Sequence, residues 1–154
     1  MARELAVRLD VYIEAPPERV WRSLASETGW RAWFNPTTTL EPRLQGRFRV
    51  QGEHGGKPYA FAGRVITFDP PRELAVSWIP EDPAWPFKDL HSIVRFVLEP
   101  VGTGTRVRLA HEGFERLPEE YRFAEYEGFA RGWRDDEELA WLRDHVEQGV
   151  SHFR

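Results

Sequence analysis

The sequence predicts an α+β fold: a curved antiparallel sheet of about six strands wrapped around a long C-terminal helix, with two short helices after the first strand. Three observations carry this prediction. Much of the chain before residue 112 alternates apolar and polar residues in runs bounded by Gly- and Pro-containing turns, the pattern of half-buried antiparallel strands. Helical patterns stay apart from that run, as a short pair near the start and one long stretch at the end. The long stretch is aromatic along one side and therefore needs an apolar wall, which one face of the sheet supplies.

The elements follow in order. Val7, Leu9, Val11 and Ile13 alternate with Arg8, Asp10 and Tyr12, predicting a strand expected at the sheet's edge or beside the last strand. Ala15-Pro16-Pro17 ends it, and Pro17-Glu18-Arg19 opens a helix with Val20, Trp21 and Leu24 on one face. After Ser26-Glu27-Thr28-Gly29, a second short helix carries Trp30, Trp33 and Phe34 into Asn35-Pro36. Gly46–Gly52 and Tyr59–Phe68 read as strands joined by a hairpin turn over 53–58. Leu74, Val76 and Trp78 mark a third strand of this run, and Pro80–Leu90, with its prolines, is expected to be a loop. Ser92, Val94, Phe96 and Leu98 alternate in the next strand; Gly102-Thr103-Gly104 turns into the last, where Val107, Leu109 and His111 share a face.

From His111 to Gly149 the chain builds its longest helical pattern. Pro118 suits a first helical position, and Glu119 and Glu120 complement the helix dipole. Tyr126, Phe129, Ala130 and Trp133, then Leu139, Leu142 and Val146, recur at helical spacing, and Gly149 is a plausible stop. Gly128 and Gly132 each carry a helix penalty of about 1 kcal/mol. The expectation is a short segment near 118–127, a break, and a main helix from about 129 to 148, with Gly132 letting that helix approach the sheet. Asp135-Asp136-Glu137-Glu138 reads as a solvated helix face.

Composition excludes several function classes. The 154 residues suit a single domain, 1–154, with a substantial core, which seven Trp and ten Phe make bulky. A net charge of -4 offers no general attraction to nucleic acid or anionic membrane. The absence of cysteine excludes disulfides, thiol catalysis and Cys-ligated zinc. The charged, alternating N-terminal stretch is expected to be neither a signal peptide nor a membrane span, which makes a cytoplasmic location the expectation. No G-x-S-x-G elbow surrounds a serine. His111-Glu112 begins like a zinc-protease motif, but residue 115 is Glu where the second His belongs. Gly56-Lys57 looks like the end of a P-loop, yet Gln51 and Pro58 replace its first Gly and its Ser or Thr, so it reads as a turn. No metal or cofactor is expected.

The order of elements and several local motifs resemble the helix-grip (START-like, SRPBCC) superfamily and, within it, the domain related to the activator of Hsp90 ATPase. The motifs are Ala15–Trp33, Gly63–Trp78, Val94–Leu98, Gly104–Leu109 leading into His111-Glu112-Gly113-Phe114, and Gly132-Trp133. The resemblance implies a sheet gripping a C-terminal helix around a cavity that binds apolar small molecules, lipids among them, and that some members use as cyclases or aromatases. In one departure from the family pattern, Glu137 and Ala140 stand where leucines usually follow the Gly-Trp pair, with Leu139 and Leu142 coming instead.

Three functions follow as expectations. The first is binding of an apolar or aromatic small molecule, with Trp33, Phe34, Phe48, Phe61, Trp78, Phe96, Leu109, Phe129 and Trp133 as lining and Ser92 and His111 as inward polar groups. The same residues could simply be core. The second is a cyclase- or hydrolase-like enzyme of the same fold, for which no catalytic set assembles and His111 is the only acid–base candidate. The third is an Hsp90-type co-chaperone module; a protein partner is compatible with the sequence but not indicated by it.

Overall fold

The computed structural model describes residues 5–54, 56–82 and 91–152. Strand β1 (Val7–Ile13) is followed by helices α1 (Pro17–Leu24) and α2 (Glu27–Trp33), then by strands β2 (Thr39–Leu40), β3 (Arg47–His54), β4 (Lys57–Asp69), β5 (Glu73–Pro80), β6 (Ser92–Val101) and β7 (Gly104–Glu112). A 3₁₀ turn (Phe114–Arg116) leads to α3 (Glu119–Asp136) and α4 (Glu138–Gln148). The expected loop over residues 80–90 falls largely outside the described residues.

The strands form one antiparallel sheet in the order β1-β7-β6-β5-β4-β3-β2. β1 lies at one edge and pairs with the last strand, in the register Val7 to His111 and Ile13 to Thr105. The sheet has seven strands rather than six; the additional one, β2, is too short to show an alternating pattern. Between Val65 and Thr67 the β4–β5 register shifts by one residue. Such a bulge bends a strand and sharpens its twist, which helps the sheet curl.

The concave face follows from period two. Leu74, Phe96 and Leu109 align across β5, β6 and β7, and the next row runs Val65, Val76, Val94, His111 and Val7. His111 is therefore the one polar member of an otherwise apolar row. The α1–α2 pair covers part of this face. Ser26 caps α2 by accepting from the Gly29 amide at 3.0 Å. Gly29 is obligatory, because a Cβ there would lie 2.0 Å from the Ser23 carbonyl oxygen. Trp30 is fully buried, with ring centroids 5.2 Å from Phe48 and 5.8 Å from Phe96.

The C-terminal helix breaks later than its glycines suggest. α3 runs unbroken through Gly128 and Gly132, and the break falls at Glu137, which adopts a left-handed conformation with φ 54°. The reason is phase. At about 100° per residue, Leu139 in a continuous helix would sit about 120° around the axis from Trp133. The left-handed residue resets the phase, so Leu139, Leu142 and Val146 of α4 all become buried in the main core. Glu137 thus stands at a junction rather than on a continuous helix face, and the side chains of Asp135 and Asp136 lie outside the described set. Gly149, with φ 70°, ends α4 as expected. Gly56, at φ 81°, belongs to the β3–β4 turn. Glu112 ends β7 and Gly113 turns with φ 93°, so His111-Glu112 is not on a helix.

Candidate functional site

A cavity of about 1060 Å³ lies between α3 and the sheet, where the α1–α2 pair no longer covers the strands. Its apolar wall comes from both sides. The sheet side supplies Phe61 of β4 and Trp78 of β5, with Phe34 from the end of α2; the helical side supplies Phe129 and Trp133 of α3 and Trp141 of α4. The rings brace one another, with centroids 5.5 Å apart for Phe61 and Trp78, 5.5 Å for Phe61 and Phe129, and 6.1 Å for Phe34 and Trp133.

Two glycines help make the space. Gly128 and Gly132 both line the cavity on α3, and a Cβ at either would meet nothing within 4 Å. The expected role of Gly132, close approach of helix to sheet, is therefore reversed. One turn apart, the two glycines remove the side chains that would otherwise project from this part of the helix.

The mouth is polar. Asn35, Thr37, Gln51, Glu53 and Tyr59 line it from the sheet side, and Glu127, Arg131 and Glu138 from the helices, while Glu125 stands on α3 one turn before the wall residue Phe129. Asn35 Oδ1 accepts from the Thr37 amide at 2.8 Å and from its hydroxyl at 2.7 Å, and this turn holds the 35–37 loop in place. Glu125 is half-buried, and burial raises its carboxyl pKa above the ordinary value.

Of the residues singled out in the sequence, Phe34, Phe61, Trp78, Phe129 and Trp133 line this cavity, whereas Trp33, Phe48, Ser92, Phe96, Leu109 and His111 do not. Trp33, Phe48, Phe96 and Leu109 are buried in the core beneath it. The polar lining was not anticipated: Asn35 and Thr37 lie in a loop, and although Gln51, Glu53 and Tyr59 lie on β3 and β4, alternation does not say which polar residue of a strand borders a cavity.

His111 and Ser92 form a buried relay behind the wall. Trp133 Nε1 donates to His111 Nδ1 at 3.0 Å, so Nδ1 must be the unprotonated nitrogen. His111 Nε2 therefore carries the hydrogen and donates to Ser92 Oγ at 2.8 Å, and Ser92 in turn donates to the Trp78 carbonyl at 3.3 Å. Every member has a defined role, and the relay ties wall residue Trp133 to the strand that carries Trp78. Burial holds the His111 pKa down at about 3, keeping the ring neutral. With both nitrogens occupied and no exposed surface, His111 positions Trp133 and is not presented to the cavity as an acid or base. Among the described residues, no group of three or more His, Asp or Glu is placed to hold a metal ion. No helix among them is long and apolar enough to cross a membrane.

Residues 14–136 match the family model for activator of Hsp90 ATPase homolog 1-like proteins. The chain belongs to that family. Among solved structures, a Mesorhizobium loti protein is similar at 29% identity, covering 92% of this chain and 98% of its own, with a TM-score of 0.71. CalU16 from Micromonospora echinospora has 23% identity over 94% of this chain and 77% of its own, with a TM-score of 0.67. The Aha1 dimer from Colwellia psychrerythraea has 19% identity over 94% and 97%, with a TM-score of 0.68. The last two likenesses show the fold alone. No curated protein is similar enough to count as a match. The family match ends at Asp136, one residue before the Glu137 break. It therefore spans strands β2 to β7, both N-terminal helices and the α3 wall, but neither the edge strand β1 nor α4 with Trp141.

Proposed function

We propose that this member of the activator of Hsp90 ATPase homolog 1-like family binds an apolar or aromatic small molecule in the cavity between the sheet and α3. The observation that carries the reading is the glycine-opened space itself, walled by rings on both sides. Small-molecule sites are typically cavities of about 300–1,000 Å³, mostly apolar with a few placed polar groups. The family resemblance points the same way.

The test is titration of the intact protein with an apolar fluorescent probe, followed by probe emission and by quenching of tryptophan. Binding should be saturable at one site, and Phe129→Ala should weaken it about tenfold, equivalent to about 1.4 kcal/mol. Phe129 is partly buried rather than enclosed, so its truncation should cost less than the roughly 3–5 kcal/mol of a fully packed Phe. Absence of saturable binding, or unchanged affinity in a folded Phe129→Ala variant, overturns the reading.

A further inference from the structure

We infer that the ligand is an apolar molecule bearing a positively charged amine, with Glu125 as its counter-ion. The inference rests on the cavity-binding reading above and specifies its chemistry. Along α3, Glu125, Phe129 and Gly132 stand at i, i+4 and i+7 and so form one stripe, and all three line the cavity. The roof of an apolar cavity therefore carries a carboxylate where an aliphatic side chain would give a drier wall. That carboxylate has no ion pair or hydrogen bond among the described residues.

A half-buried carboxylate without a partner is costly, and burial raises its pKa for that reason. A ligand cation seated beside it would relieve the cost. Of the other charged lining groups, Glu53, Glu127 and Glu138 are acidic and Arg131 is basic. Arg131, six residues on, points about 120° around the helix from Glu125, so the two do not share a stripe. Aromatic walls also suit a cation, whose charge is attracted to ring faces. An anionic ligand would meet carboxylates at the mouth and a further one at the roof.

The experiment compares phenylbutylamine, phenylbutanol and phenylbutyrate, which share one apolar body, by calorimetric titration of the full chain near neutral pH. The amine should bind about tenfold more tightly than the alcohol, and the carboxylate more weakly than either. In Glu125→Gln, which keeps the shape, the amine should fall to the affinity of the alcohol while the alcohol stays within about twofold. Glu119→Gln, which removes the same charge from an exposed site in the first turn of α3, should leave all three affinities in place. Alcohol binding without an amine advantage, or an amine advantage that survives Glu125→Gln, overturns this inference and leaves the cavity reading standing. Failure of all three probes to bind overturns both.

Discussion

Replacing His111 by leucine should make the protein less stable near neutrality and more stable in acid. His111 has no exposed surface, and burial holds its pKa at about 3 against an ordinary 6.5. The unfolded chain binds a proton at 6.5 that the folded chain refuses until about 3. Between those values the unfolded state carries more protons, so wild-type stability falls as the pH falls. Each pH unit in that window removes about 1.4 kcal/mol, or about 3 kcal/mol by about pH 4. Leucine is similar in size and does not titrate, but it leaves the Trp133 indole N–H without an acceptor, at a cost of about 1–3 kcal/mol. Wild type should therefore lead by about 2 kcal/mol near neutrality and trail slightly at about pH 4. Glu41 and Asp144, whose pKa values are lowered, also lose stability in acid, but they are present in both proteins and cancel in the difference. Urea unfolding of both proteins across the pH range measures that difference. Parallel stability curves would refute the argument, because they would mean that His111 is charged or solvated in the folded state.

The remaining predictions concern the helices. Gly128→Ala should raise stability by about 0.5–1 kcal/mol in urea unfolding, since helix propensity improves and the new methyl meets no neighbour. Gly29→Ala should lower it by about 2 kcal/mol or more, because the Cβ collides with the backbone of Ser23. Trp133→Phe retains a ring in the wall but leaves His111 Nδ1 without its donor; stability should fall by about 1–3 kcal/mol and probe affinity severalfold, measured on the same samples.

Most of the fold is legible in the sequence because period-two alternation is a direct image of a sheet with one buried face. The strands from Val7 to Glu112 lie close to their patterned runs, and β1 takes its expected place beside β7. What escapes is short or relational. β2 spans two residues, and the bulge after Val65 depends on a partner strand. The glycines point to a break near residue 128 because their propensity cost is local, whereas the six-residue step from Trp133 to Leu139 is what puts the two stripes out of phase. The site is legible in part for a similar reason. Alternation says which face a residue is on but not what lies above it. Phe96 and Trp78 are both inward, yet α2 covers the first with Trp30 and Trp33, while the second also reaches the cavity. The mouth residues come from a loop, two strands and two helices, and no single element's periodicity shows that they meet.

The break at Glu137 divides labour between the two C-terminal helices. α4 buries Leu139, Leu142 and Val146 and packs on β1, α1 and α2, closing the main core over one part of the curved sheet. Among the described side chains of α3, only Trp133 is buried in that core; Tyr126 and Phe129 are partly exposed, and Gly128 and Gly132 contribute no side chain. Its hold on the sheet side includes ring contacts and the bond from Trp133 to His111. A helix attached in this way can lose or gain side chains on its inner stripe without opening the core beneath. The shape and charge of the cavity roof are therefore separable from the stability of the fold, and residues 125, 128, 129 and 132 are where the cavity can be altered with the least effect on folding.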